Sequence, residues 1–241
     1  MRHLCIDIGN TRVKAAIYQD DKLQDHHIYD HDTDQWGSSL LAQHLDGIAI
    51  SNVSDYQDFD RFHHASETFV VLDEHTALPF VNHYSTPATL GKDRLAAMLG
   101  AQALYPETAV CVVDIGTCVT LDYLTADRNY LGGNISPGVD LRLRAMHHFT
   151  DGLPLLEIAT TTSLLGLSTR DAMLHGAIDG LAYEIDGFLR RLENQFEQHI
   201  TVLFTGGGAE TFSQKMKREI FVHPFLLPYG LNYLLHHLRT L

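Results

Sequence analysis

Ile6-Asp7-Ile8-Gly9-Asn10-Thr11, near the N-terminus, has a near copy in the middle of the chain, Val113-Asp114-Ile115-Gly116-Thr117. In each copy an apolar run ends in Asp-Ile-Gly, passes a small hydroxyl-bearing turn and enters a second β-rich run, Arg12 to Tyr18 after the first and Cys118 to Leu124 after the second. The pattern is a β-hairpin written twice. Glycine lets the backbone come close to a polyphosphate and aim its N–H groups at it, a threonine hydroxyl can hydrogen-bond a phosphate oxygen, and an aspartate can hold a cation. Gly9-Asn10 would also serve as a plain two-residue hairpin turn. Turn geometry requires only the glycine, so repetition of the aspartate with it points to two phosphate-gripping turns facing one cleft.

The chain of 241 residues is long enough for a substantial core, and the repeat favours two similar halves, 1–106 and 107–241, divided at Pro106-Glu107. With 45% hydrophobic and 20% charged residues it reads as a folded globular protein. Seventeen basic against 30 acidic residues give a formal charge of −13 and no Lys/Arg cluster, which excludes nucleic acid as a partner. Triphosphate would have to be held by local amides, a metal and one or two basic side chains. No signal peptide and no apolar run of membrane-spanning length is evident, so a soluble, cytoplasmic protein without a membrane partner is expected. Cys5, Cys111 and Cys118 read as buried reduced thiols, and the His26-His27, His63-His64, His147-His148 and His236-His237 pairs as surface residues rather than metal ligands.

Beyond the first hairpin, periodicity predicts an edge strand over Gln24–Asp30, a helix over Asp34–Leu45, strands over Gly47–Ser51 and Thr68–Leu72 with a weak helix over Asp58–Ala65 between them, and a long loop from Thr76 to Leu90. Gly91-Lys92-Asp93-Arg94 follows, with Asp93 read as the N-cap of a helix over Leu95–Tyr105. This is no Walker A motif, because Ser or Thr after the lysine is missing. A carboxylate that can take a proton beside a guanidinium that can hold an anion nonetheless makes a compact site. In the second half a strand over Asn129–Ile135 leads to a helix begun by Pro137-Gly138. Thr160-Thr161-Thr162 reads as a linker, and Ser168–Glu197 as the longest helix, its Gly176, Gly180 and Gly187 suggesting close backbone packing and its Thr169 a cap. A strand over Ile200–Phe204 runs into Thr205-Gly206-Gly207-Gly208 and a helix, a turn that makes room for a nucleotide. Gly230–Leu238 closes the chain as a helix.

These segments, in this order, resemble type III pantothenate kinase over nearly the whole chain: Asp7-Ile8-Gly9-Asn10-Thr11, Tyr84, Gly91-Lys92-Asp93-Arg94, Asp114-Ile115-Gly116-Thr117, Gly132-Gly133-Asn134-Ile135-Ser136-Pro137-Gly138, Thr169 and Thr205-Gly206-Gly207. The resemblance implies an α/β fold of two similar actin-like, ribonuclease H-like halves with a nucleotide cleft between them. It implies transfer of a phosphoryl group from ATP with Mg²⁺ to pantothenate, aided by a monovalent cation, K⁺ or NH₄⁺. By the same resemblance Asp7, Ile8, Gly9, Asn10, Thr11, Arg12, Val13 and Lys14 form the first phosphate turn, and Thr117 contacts ATP. Gly206 and Gly207 form the adenosine segment, Asp114 holds the monovalent cation, and Asp93 is the general base. Tyr84, Gly91, Lys92, Asp93, Arg94 and Thr169 form the pantothenate pocket. Gly208 departs from the acidic residue the family commonly carries there. The resemblance further implies a homodimer in which the partner chain helps close the substrate pocket. Two other readings stand beside it: a kinase of the same superfamily acting on another small hydroxy substrate, and a non-catalytic nucleotide-binding accessory protein.

Overall fold

The computed structural model describes residues 1–30, 40–41, 44–160 and 163–241. Two sheets organise the chain. The first has the order β3-β2-β1-β4-β5, from β1 (Arg2–Ile8), β2 (Arg12–Gln19), β3 (Lys22–Asp30), β4 (Leu45–Asn52) and β5 (Ser66–Val71). The second has the order β11-β10-β7-β8-β9-β6, from β6 (Val81–Asn82), β7 (Val110–Ile115), β8 (Cys118–Leu124), β9 (Asn129–Pro137), β10 (Thr201–Thr205) and β11 (Phe221–Val222). Apart from the short β6, the order 3-2-1-4-5 recurs strand for strand. The duplication read from the two Asp-Ile-Gly turns is thus a duplication of sheet topology.

The central strand β1 reads as a near-continuous apolar run because it is covered on both faces. Leu4, Ile6 and Ile8 point into one core with Val13, Ile17, Ile48 and Phe62. His3, Cys5 and Asp7 take the other face by alternation. Six helices complete the described chain: α1 (Asp60–His63), α2 (Lys92–Leu104), α3 (Val139–His148), α4 (Thr169–Phe196), α5 (Ala209–Ser213) and α6 (Leu226–Leu238).

By compactness the chain forms a first unit of 1–108, 123–132 and 225–241 and a second of 109–122 and 133–224. The division expected at 106/107 is crossed by α6, which packs on α2, β1 and β4 of the first unit. Its five buried leucines, Leu226, Leu227, Leu231, Leu234 and Leu235, each contribute roughly 1.5–3 kcal/mol of burial. Glycines let α6 meet α2 closely: a Cβ at Gly230 would lie 2.1 Å from the Ala96 carbonyl oxygen, and one at Gly100 2.5 Å from that of Leu226.

Several local expectations are corrected. Most of the helix expected over Asp34–Leu45 lies outside the described residues, and Leu45 itself already begins β4. Thr161 and Thr162 of the expected linker also lie outside them. Pro137 ends β9 instead of opening α3, whose N-cap is Gly138. The glycines of α4 show no close packing among the described residues: a Cβ at Gly176, Gly180 or Gly187 would meet no heavy atom of another element within 4 Å. Cys118 is exposed at the start of β8, whereas Cys5 and Cys111 are buried, and burial pushes both of those thiols well up from their ordinary value. His3 is buried, and His236 and His237 are half-buried on α6 instead of at the surface, whereas His63, His64, His147 and His148 are exposed.

Candidate active site

The first turn follows from the register of its hairpin. β1 and β2 pair antiparallel with Asp7 opposite Lys14 and Ile8 opposite Val13, and Gly9 N–H donates to the Arg12 carbonyl at 3.0 Å. The connection is therefore three residues, Gly9-Asn10-Thr11, and not the two-residue turn that Gly9-Asn10 suggested. Ile8 and Val13 are buried and anchor the turn, while Asn10, Thr11 and Arg12 are exposed at its tip. Directly opposed residues lie on one face of the sheet, so Asp7 and the half-buried Lys14 share the face at the end of the hairpin. On the other side of Asp7, β4 runs parallel to β1 with Ser51 in register.

The second turn is one residue shorter. Gly116 N–H donates to the Cys118 carbonyl at 3.0 Å, and Gly116, Thr117 and Cys118 are exposed. β10 runs parallel to β7 with Thr205 in register with Asp114. Immediately after it, Gly206 has φ +85°, and a Cβ there would fall 2.3 Å from Asp114 Oδ1. Only glycine permits both this conformation and this approach. Gly208 N–H donates to the Ile115 carbonyl at 2.9 Å, tying the glycine segment to the end of β7. A side chain at Gly208 would meet Ile115 Cγ2 at 2.6 Å, whereas one at Gly207 would enter open space. That contact accounts for a glycine at 208. Gly138 is a residue that motif reading left out of the site: its N–H donates to the Thr117 carbonyl at 2.9 Å, and a Cβ there would lie 2.3 Å from the Gly116 carbonyl oxygen.

A third group gathers at the start of α2. The N-cap is Gly91, with no side-chain cap, and α2 begins at Lys92, so Asp93 sits inside the first turn instead of capping it. Its Oδ1 accepts the Arg94 N–H at 2.7 Å, which satisfies one of the first-turn donors and fixes the carboxylate. Arg94 is only 4% exposed, its guanidinium lies over the Tyr84 ring at 5.3 Å, and its Nη1 donates to the Tyr84 hydroxyl at 3.5 Å. Tyr84 in turn stacks on Tyr130 at 6.4 Å and covers Gly132, whose φ is +99°. The long loop thus delivers one aromatic ring onto one buried cation. Lys92 turns away, toward Glu74 at 3.4 Å. Thr169 is exposed at the first position of α4 in the second unit, and capping there falls to Ser168, whose hydroxyl accepts the Asp171 N–H.

Asp114, with Gly116 and Gly206 leaving its carboxylate accessible, fits a cation bound through oxygen. Among the described residues no group of three His, Cys, Asp or Glu side chains could enclose a metal ion.

The model of the type III pantothenate kinase family matches residues 3–191. A type III pantothenate kinase of Christiangramia forsetii is 36% identical over 99% of both chains, and one of Cytophaga hutchinsonii is 36% identical over 98% of this chain and 99% of its own. Among solved structures, a Baf family protein of Campylobacter jejuni described as a transcriptional activator gives a TM-score of 0.67 at 21% identity, over 99% of this chain and 100% of that one. An activator of 2-hydroxyisocaproyl-CoA dehydratase from Clostridium difficile, with bound ADPNP, gives 0.57 at 12%, over 100% and 98%. The structural likenesses speak to the fold, an actin-like α/β fold. With the family match and the full-length relatives, the chain belongs to the type III pantothenate kinase family, enzymes that phosphorylate pantothenate with ATP in coenzyme A biosynthesis.

Proposed function

We propose that the groups described above divide the phosphoryl transfer among them. Asp93 Oδ2 or Oδ1 takes the proton from the primary hydroxyl of pantothenate as its oxygen attacks the γ-phosphorus. The β–γ bridging bond breaks and ADP leaves with its electron pair. Tyr84, Gly91, Arg94 and Thr169 hold pantothenate, Arg94 by pairing with its carboxylate, and Lys92 joins them through its backbone while its ammonium stays on Glu74. Asp7 to Lys14 grips the ATP phosphates through turn amides and the Lys14 ammonium, Thr117 adds a hydroxyl contact, and Gly206-Gly207 admits the adenosine. Bound Mg²⁺ and a monovalent cation at Asp114, K⁺ or NH₄⁺, supply charge to offset the triphosphate. Such chemistry asks the protein for positioning and electrostatics more than for covalent work.

One observation carries this reading: a carboxylate fixed by a helix-start N–H, next in sequence to a buried arginine under an aromatic ring. A non-catalytic nucleotide binder would need no such acceptor-side group. The test is ADP release from ATP with and without pantothenate and with and without potassium. Release should require both. Release indifferent to pantothenate would overturn the substrate assignment, and release indifferent to potassium the cation assignment.

Assembly and location belong to the same proposal. Between α3 and α4 the chain exposes Phe149, Leu155, Ile158, Leu164, Leu165 and Leu167, the last at 95%. An apolar run of this kind marks an interaction surface, and a homodimer whose partner chain completes the pantothenate pocket would cover it. Light scattering should give twice the 27.0 kDa chain mass. A cytoplasmic location is expected of such an enzyme; separately, no helix among the described residues is long and apolar enough to cross a membrane.

A further inference from the structure

Two hydroxyl groups in this molecule have no local reason to be where they are. Thr205 and Ser51 are fully buried, and among the described residues neither Thr205 Oγ1 nor Ser51 Oγ finds a hydrogen-bond partner. Buried polar groups are ordinarily satisfied, and one left without a partner costs stability, so each such group calls for an explanation. Their positions supply one. Thr205 is the register partner of Asp114 on the parallel strand β10, and Ser51 is the register partner of Asp7 on the parallel strand β4. Register partners in a parallel pair share a face of the sheet. Each unit therefore sets a buried hydroxyl on the adjacent strand, level with the aspartate of its turn. The same relation arises twice on independent strand pairs, so it is a property of the duplicated unit and not an accident of one loop.

The surroundings of Thr205 narrow what its oxygen is for. The next residue, Gly206, adopts φ +85° and leaves Asp114 Oδ1 approachable where a Cβ would sit 2.3 Å from it. A carboxylate and a hydroxyl with the glycine backbone beside them form an all-oxygen environment, with one formal negative charge from the two side chains. That is donor chemistry for a hard cation of low charge. We infer that the Thr205 hydroxyl is a second side-chain ligand of the monovalent cation, acting with Asp114 across the β7–β10 strand pair. The inference rests on the assignment of that cation to Asp114. Thr205 is fully buried at the end of β10; serine there keeps the hydroxyl and valine removes it at nearly the same volume.

The experiment uses the full-length protein with Mg²⁺ and ADP, and thallium(I) as a spectroscopic probe for potassium. Line broadening of the thallium resonance is measured for the native chain and for Thr205→Val, Thr205→Ser and Asp114→Asn, alongside thermal midpoints and the potassium concentration that half-activates ADP release. Thr205→Val should weaken thallium binding about 10-fold or more, the scale of losses at supporting groups of a metal site, and raise the half-activating potassium in parallel. Thr205→Ser should retain most of the affinity, and the midpoint of Thr205→Val should not fall, because no internal hydrogen bond is lost. Asp114→Asn should abolish binding. Thallium binding unchanged in Thr205→Val but lost in Asp114→Asn would overturn the role of Thr205 alone. Binding unchanged in Asp114→Asn would overturn the cation assignment beneath it. A Thr205→Val chain that fails to fold would show that the hydroxyl serves the fold, which also overturns the inference.

Discussion

Asp7 and Lys14 face each other across the β1–β2 ladder, a carboxylate and an ammonium on one face at the end of the hairpin that Gly9 closes. Strand register puts both residues at the mouth of the turn whose amides are proposed to meet the nucleotide. Lys14→Met keeps the stem and removes the charge. It is expected to lose about 1.5–3 kcal/mol of nucleotide binding, the worth of a hydrogen bond to a charged group. Calorimetric titration with ADP checks this, and unaltered affinity would remove Lys14 from the phosphate grip.

Asp93 is held by the Arg94 N–H through Oδ1, a contact that an amide oxygen also accepts. Asp93→Asn should therefore fold like the native chain and lower kcat by about 10²- to 10⁴-fold, the usual contribution of general-base help. Circular dichroism with steady-state kinetics separates the two effects.

Tyr84 contributes a ring to Arg94, with the hydroxyl at the edge of hydrogen-bond range. Tyr84→Phe should change the KM for pantothenate little. Tyr84→Leu removes a cation–π contact worth about 0.5–2 kcal/mol and should raise that KM roughly 2- to 30-fold, with less effect on the KM for ATP.

Glycine substitutions should have opposite signs at two helices. Gly230→Ala forces a Cβ against the Ala96 carbonyl and should destabilise by about 1–3 kcal/mol or more. Gly180→Ala meets nothing within 4 Å and should stabilise by about 0.5–1 kcal/mol. Thermal denaturation of the two variants checks the pair.

His3 is buried between β1 and α6, with Nδ1 2.7 Å from Asn232 Oδ1 and its ring 4.7 Å from that of His236. Burial lowers its pKa from 6.5, His236, Arg239 and the N-terminus adding to the effect against the hydrogen bond that His3 donates to Asn232 Oδ1. Below pH 6.5 the unfolded chain binds a proton that the folded chain resists, so stability is complete above that pH and falls as pH drops through it. The thermal midpoint of the native chain should decline from pH 7.5 to 5.5 (about one unit either side) more steeply than that of His3→Gln. Equal slopes would exclude His3 as the group.

The two hairpins, their turns and the Gly91-Lys92-Asp93-Arg94 segment were legible in the sequence because each is written locally, whereas the strand order of the two sheets was not. An apolar run, a glycine that must turn and an aspartate repeated with it lie within a few consecutive residues. The sequence also marked Asp93 and Arg94, though as a cap and its neighbour; the structure moves the helix start to Lys92, since Gly91 and the first-turn carboxylate satisfy the N–H groups between them. Other features depend on pairings distant in the chain. No local pattern sets Ser51 level with Asp7 or Thr205 level with Asp114, because parallel register is decided by how strands from separate segments meet. The docking of α6 on the first sheet has the same origin, a close backbone approach at Gly100 and Gly230 that becomes visible only when two helices 130 positions apart are brought together. The sequence by itself determined a duplicated hairpin and the chemistry of its turns. Tertiary structure decided which oxygen atoms stand beside those aspartates, because side-chain direction follows strand register and not sequence neighbourhood.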